Sequence, residues 1–256
     1  MIKGLKGFWS QRYRAMGHTG WSDPIIYSYD QIERLANVES VIENLNIKPN
    51  HIFDFGCGTG DFSRMLLNKG FKVYGYDPHV NPRLLNPKFF YIEQHDQIDD
   101  FIKEPVGLIL SVTVLDHILD DEEFYDELVY LRTKIAKTGF LLCLEYALDE
   151  GAIQKKSSYQ AFRTMDQWKT HLAISGWQIF NVIPIAHPST APSIGFSNYQ
   201  KSILILLLKM IAQRRHFRKT LLPILKYKAQ SVFQHYGIGN IEKSPLKLII
   251  CKPEAI

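Results

Sequence analysis

The sequence predicts an α/β fold: a parallel sheet covered by helices on both faces. Three observations carry that reading. Short apolar runs alternate with stretches of helical period from His51 onward, a glycine-rich turn follows the first run, and no internal repeat or low-complexity tract breaks the order. At 256 residues, 46% hydrophobic and 22% charged, the chain has material for a full core and is expected to form one domain, 1–256.

The elements follow in order. Residues 9–31 are rich in aromatics and turn formers and read as an N-terminal arm; Ile32, Leu35, Val38, Val41, Ile42 and Leu45 then recur at helical spacing. Strands are expected at 52–55, 71–76, 89–92, 106–112 and 140–144, and helices at 61–68 and 121–137. Asp120 can cap the second helix with Glu123 reaching back, and Gly139 follows the basic Lys134 and Lys137 at its end. Thr164-Met-Asp-Gln167 is a capping-box pattern that opens a helix running to Gly176, and 177–183 reads as a strand. A Pro-rich loop at 184–192 leads to two helices, 198–213 and 216–234, the second kinked at Pro223, and 246–251 is the last strand. The segments are an arm and helix at 1–48, a core at 49–195, a helical insertion at 196–240 read as a lid, and a final strand at 241–256.

Composition removes several function classes. The longest apolar run, 203–208, is far short of a spanning helix, and the N-terminus has no apolar leader, so a cytoplasmic protein is expected. Cys57, Cys143 and Cys251 form no CxxC pair, which argues against a zinc site or a disulfide framework, and no metal is required. The net charge of +4 is regional: no Asp or Glu occurs between Gln167 and Asn240, while Lys201, Lys209, Arg214, Arg215, Arg218, Lys219, Lys226 and Lys228 crowd the second half of that stretch. The basic helices could draw an acidic acceptor or touch an anionic membrane through 201–228, or they could be a solvated outer face; nucleic acid ranks lowest, because no binding module accompanies the charge.

The stretch HIFDFGCGTGDF at 51–62 carries the chemistry. Glycine admits positive φ and lets a ligand approach bare backbone, and at the first strand-to-helix turn of a parallel sheet it marks a nucleotide crevice. A dinucleotide fingerprint is GxGxxG; Gly56, Gly58 and Gly60 instead give GxGxG, preceded by Asp54. Asp54-Phe55-Gly56-Cys57-Gly58-Thr-Gly60 resembles the first motif of the class I S-adenosylmethionine-dependent methyltransferases of small-molecule type. That ligand has a positive sulfonium and an amino group and no phosphate, so an acid beside the turn favours it.

The resemblance spans about residues 51–148 and implies a Rossmann-like, doubly wound, mostly parallel seven-stranded sheet with the last strand antiparallel. It implies that Asp77, closing the second strand, accepts the ribose hydroxyls, that Pro78 packs on the adenine, and that Asp96 reaches the adenine amine. The fourth strand and its exit, through Ser111 to Leu115-Asp116-His117-Ile118, resembles a strand followed by Leu-Glu-His-Ile, with Asp116 in place of the Glu and Gly107 where an acid is common. The expected cofactor contacts are Asp54, Phe55, Gly56, Cys57, Gly58, Gly60, Asp77, Pro78, Asp96 and Ser111, and His117 is the candidate base. A histidine tying the next loop to the core is the competing reading of His117. Trp9, Tyr13, Trp21, Tyr27 and Tyr29 could cap a sulfonium or simply pack the arm on the sheet.

The resemblance implies methyl transfer from S-adenosylmethionine to oxygen or nitrogen of a small or medium-sized metabolite: a natural-product, peptide or lipid intermediate. Two other classes stay open. One is a partner subunit that binds the cofactor without catalysis, and the other a nicotinamide-dependent oxidoreductase, which the glycine spacing disfavours. Oligomeric state is not legible.

Overall fold

Ile52, Phe53 and Phe55 surround Asp54 with β-branched and aromatic side chains, and all four residues are buried in β1 (His51–Phe55). A strand buried on both faces belongs inside a parallel sheet with cover on each side. β1 runs parallel to β2 (Lys72–Tyr76) on one edge and to β4 (Val106–Val112) on the other. β3 (Phe89–Ile92) extends the first edge and β5 (Ile135–Leu148) the second, again parallel. β9 (Leu246–Pro253) pairs with both β5 and β8 (Trp177–Pro184), so the main path runs β3-β2-β1-β4-β5-β9-β8. β6 (Lys155–Lys156) and β7 (Ala161–Thr164) form an antiparallel ribbon joined in parallel to Ala147 and Leu148 of β5.

The computed structural model describes residues 6–20, 24–149, 155–185 and 244–254. They fall into two compact units: one within Met1–Thr19, Asn46–Ile183 and Lys247–Ile256, the other within Gly20–Leu45 and Pro184–Leu246. The expected helices at 198–213 and 216–234, and with them the basic lid, lie outside the described residues.

In the first unit, alternate residues of the central strands point to opposite faces. Phe53, Phe55, Ile109, Leu141 and Cys143 share one core with Phe124, Leu128 and Leu131 of α5 (Asp121–Lys134) and Trp168 and Leu172 of α6 (Met165–Ile174). Ile52, Leu108, Leu110, Leu142 and Leu144, on the opposite face, are fully buried as well, and α3 (Asp61–Asn68) lies along β1 and β2. The indoles of Trp168 and Trp177 each reach a carbonyl, Tyr146 O at 3.2 Å and Leu128 O at 3.0 Å, so the two largest buried side chains leave no polar atom unpaired. Asp120 caps α5, accepting from the Glu122 and Glu123 amides, and Thr164 and Gln167 close the expected capping box.

Three boundaries differ from the expectation. α5 stops at Lys134 and β5 begins at Ile135, which is already extended at φ −94 and ψ 140, although Gly139 had suggested a helix reaching 137. Gly139 serves the strand instead: a Cβ there would meet Ile135 Cδ1 at 2.8 Å and Gly107 O at 3.0 Å. The ribbon of β6 and β7 was not anticipated, because two and four residues give too little period to read. The N-terminal arm is mostly helical, as α1 (Lys6–Met16) and α2 (Pro24–Asn44), the latter opening on the proline that a first helical turn accepts. α2 belongs to the second unit, where Arg34 Nε donates to Asp30 Oδ1 at 2.7 Å and Asn37 Nδ2 to Glu33 O at 2.7 Å.

Among the described residues, no helix is long and apolar enough to cross a membrane, and no group of three or more His, Cys, Asp or Glu side chains could hold a metal ion.

Candidate functional site

The parallel register brings the strand ends level: Phe55 faces Tyr76 on one side and Ser111 on the other. The chain then turns. Gly56 and Cys57 both donate their amides to Tyr76 O at 2.8 Å, and the Gly60 amide donates to Cys57 O at 2.8 Å. Gly56, Gly58 and Gly60 all have positive φ, of 76°, 49° and 76°.

The three glycines serve different neighbours. A Cβ on Gly56 would lie 2.2 Å from Val114 Cγ2, and one on Gly60 would lie 2.7 Å from Pro82 Cβ, so the protein's own side chains use both spaces. Over Gly58 nothing comes nearer than 4.0 Å, and one of the two atoms at that distance is Asp77 Oδ2. Of the three, Gly58 is the glycine whose Cβ side no apolar side chain fills. Its amide donates to Asp77 Oδ2 at 3.0 Å and so carries the carboxylate to the turn.

Asp77 Oδ1 accepts from the His79 amide at 2.8 Å and the Val80 amide at 2.9 Å. A carboxylate has about four lone-pair positions, and these bonds with that of Gly58 leave room for one more donor without rearrangement. A grip on both ribose hydroxyls would need one of the two backbone bonds at Oδ1 to be shared. Burial pushes the Asp77 carboxyl up, while the three amide bonds hold it down.

Asp54 is 2% exposed, and its Oδ2 accepts from Ser63 Oγ at 2.5 Å in the first turn of α3. Burial raises its pKa to about 7; the Ser63 bond opposes this and the Asp77 charge adds to it. Neither carboxylate has an Arg or Lys partner among the described residues. Burial also drives the Cys57 thiol upward, with Asp54 and Asp77 adding to it, so Cys57 is a packing residue rather than a nucleophile.

The other expected residues divide. Pro78 is half-buried beside Asp77, and Asp96 is exposed on a 3-10 turn at His95–Gln97 beyond β3. Ser111 is fully buried and its hydroxyl donates to Glu145 at 3.0 Å, so it faces the inside of the sheet. His117 closes a 3-10 turn, Leu115–His117, after β4. Its Nδ1 lies 2.6 Å from Tyr159 O, its Nε2 lies 3.6 Å from Asp116 Oδ1, and its ring packs 4.5 Å from Trp9. A carbonyl only accepts, so Nδ1 carries the hydrogen and Nε2 is the nitrogen able to take a proton. Of the arm's aromatics, Trp9 meets Phe8, His117 and Tyr159, while Trp21 lies outside the described residues.

Glu145, Val114 and Tyr159 were missed. A lone acid inside the apolar run of β5 was the available signal for Glu145, since a buried charge needs partners. Val114 and Tyr159 had none: their importance comes from contacts made across the fold.

A methyltransferase-domain family model matches residues 26–182. An uncharacterized methyltransferase from Bacillus thuringiensis is 31% identical over 96 residues, which are 36% of this chain and 45% of that protein, so the chain spans about half the length of such relatives. Among solved structures, the Burkholderia thailandensis 1,6-didemethyltoxoflavin-N1-methyltransferase, with bound 1,6-didemethyltoxoflavin and S-adenosylhomocysteine, aligns with a TM-score of 0.58 at 11% identity, over 74% of this chain and 83% of that one. The [4+2]-cyclase SpnF aligns with a TM-score of 0.54 at 10% identity, over 88% of this chain and 81% of that one. These two share the fold. With the family match covering more than half of its residues, the chain belongs to the methyltransferase-domain family.

Proposed function

We propose that the chain binds S-adenosylmethionine at the Gly56–Gly60 turn and transfers its methyl group to oxygen or nitrogen of a small or medium-sized acceptor. The observation that carries this reading is the Gly58 backbone, which no side chain other than Asp77 approaches on its Cβ side, backed by a buried Asp54 with no basic partner among the described residues. Asp54 beside the turn and the GxGxG spacing tell against the pyrophosphate of a nicotinamide dinucleotide, whereas an acid at Asp77 suits the ribose of either ligand.

S-adenosylmethionine supplies an electrophilic methyl on a sulfonium when bound. Asp77, held by the Gly58 amide, would grip the nucleoside over the bare Gly58 backbone, Pro78 would pack beside the adenine, and Asp54 would favour the ligand's positive charge. Asp96, exposed beyond β3, would contact the adenine amine only from the rim. Methyl transfer needs chiefly in-line placement of the acceptor, so a base is optional. If His117 serves as one, it does so through Nε2, with Asp116 stabilising the imidazolium.

One observation favours a second reading: both ring nitrogens of His117 face protein atoms, as in a residue that ties a loop in place. A chain that binds the cofactor without transferring the methyl would keep such a tie, and SpnF illustrates that this fold also belongs to a cyclase.

Calorimetry with S-adenosylmethionine and S-adenosylhomocysteine tests the binding. Micromolar affinity is expected, reduced in Asp77→Ala by about 1–3 kcal/mol. Equal affinity in the variant sinks the Asp77 role, and no binding to the wild type sinks the proposal. A labelled-methyl assay on extract of cells lacking the protein separates the readings: a labelled product supports transfer, and none supports the binding partner.

A further inference from the structure

The loop after β4 is held from beneath by a buried acid. Glu145 is 0% exposed and projects from β5. Its Oε1 accepts from Ser111 Oγ at 3.0 Å, the Val114 amide at 3.0 Å and the Leu115 amide at 3.1 Å, and its Oε2 from the Asp116 amide at 3.4 Å. Three consecutive backbone donors thus converge on one side chain. A carboxyl suits this because both of its oxygens can accept; burial and the Asp116 charge push its pKa well up, and the Val114, Leu115 and Ser111 bonds oppose that.

The clamp holds an unfavourable backbone. Thr113 has φ 51°, a left-handed conformation that a β-branched residue rarely adopts. That reversal turns the chain so that Val114 packs on Gly56, where its Cγ2 fills the space of the missing Cβ. Further along, Gln160 Nε2 donates to Asp116 Oδ2, Tyr159 O meets His117, and Arg163 Nη2 donates to Ile118 O at 2.8 Å. The β6–β7 turn and β7 thus hold the outer part of the loop. Glu145 holds the part that touches the glycine turn, together with the Thr113 amide, which donates to Leu144 O at 2.8 Å.

We infer that Glu145 is a positioning residue for the cofactor turn: through the Val114–Asp116 amides it seats Val114 against Gly56 and so fixes the backbone that Gly58 offers to a ligand. A purely structural role would lower stability without changing how the turn binds. This inference rests on the reading of the turn as a nucleoside site.

The test uses S-adenosylhomocysteine and calorimetry on the full chain. Glu145→Ala should weaken binding about tenfold while still melting cooperatively, and Val114→Ala should weaken it similarly. Because both act on one contact, the double variant should be no weaker than the worse single one. Glu145→Gln keeps an oxygen for Ser111, Val114 and Leu115 but loses the acceptor for the Asp116 amide, so it should recover most of the affinity. Unchanged binding in Glu145→Ala, or effects that multiply in the double variant, would overturn the inference. If Glu145→Ala does not fold, amide exchange in Glu145→Gln decides: faster exchange at Asp116 is expected, and unaltered exchange overturns it. If the wild type binds no S-adenosylhomocysteine, the cofactor reading fails, and exchange at Val114–Asp116 still decides whether Glu145 holds the loop.

Discussion

At the C-terminal ends of β1 and β2 lie bare backbone and two acids, the buried Asp54 and the half-buried Asp77, whose carboxyls desolvation pushes up and no Arg or Lys among the described residues offsets. At the N-terminal ends of the same strands, a shallow cleft of about 300 Å³ is lined in part by His51, Gly70, Lys72, Lys88 and Phe90. There Lys72 Nζ sits 4.7 Å from the Tyr74 ring centroid and 4.8 Å from that of Phe90, and Lys88 Nζ donates to Gly70 O at 3.2 Å. The strands are common to both ends, so the difference lies in the residues just outside them. The lower cations are already met by ring faces and a carbonyl, whereas the upper acids have charge left unmatched.

Glycine substitutions should break this comparison most strongly. Gly56 and Gly70 share positive φ, of 76° and 89°, but a Cβ on Gly56 meets Val114 at 2.2 Å and one on Gly70 meets nothing within 4 Å. Gly70→Ala should cost about 1–2 kcal/mol of stability, the penalty of a left-handed alanine. Gly56→Ala should cost about 2–4 kcal/mol, because overpacking adds to that strain. Val114→Ala in the Gly56→Ala background should recover the excess. Urea unfolding measures all three, and equal losses at the two glycines would remove the claim that Val114 uses the first space.

The acids come next. A carboxyl whose pKa rises from 3.8 to about 7 on folding binds its proton more tightly in the native state, so it contributes stability at low pH that is lost as pH rises through about 7. A bound cation favours the ionised form. S-adenosylmethionine affinity should therefore rise between about pH 6 and 8, with proton release on binding seen as a buffer-dependent heat. The shift at Asp77 has the same sign, so Asp54→Asn is needed to separate them: it should flatten most of the rise and remove most of the loss of stability between about pH 4 and 7. An affinity that falls with pH in the wild type would reverse the assignment.

How much of this was legible depended on where the determinants lie along the chain. β1 and the glycines could be read from twelve consecutive residues, since apolar content, the acid and the turn are all local. Asp77 is legible as the acid that follows a short strand, but its role came from the resemblance alone. Val114 is different: nothing in its neighbourhood says that it fills Gly56, because α3, β2, β3 and β4 separate the two in sequence. Gly107 shows the same effect. It departs from the common acid at that place, and the reason emerges only in three dimensions, where a Cβ would lie 2.1 Å from Pro49 O. The end of α5 was misread because Lys134, Lys137 and Gly139 imitate a helix stop, while the register with Val106 and Leu108 draws the chain into β5 from Ile135.

The smallest effect is expected at the lower cleft, and it tests whether the two ends act separately. Lys72→Met keeps most of the aliphatic stem over Tyr74 and Phe90 but removes the ammonium, which should cost about 0.5–1 kcal/mol of stability through the lost cation–π contacts. Field effects across the sheet are weak, since the Debye length is about 8 Å at physiological salt and strands of five residues span about 17 Å. S-adenosylmethionine affinity should therefore stay within about twofold of wild type in Lys72→Met and in Lys88→Met at that ionic strength. A larger change that persists in high salt would mean that β1 or β2 transmits strain from one end to the other, and the division between a ligand end and a packed end would then be wrong.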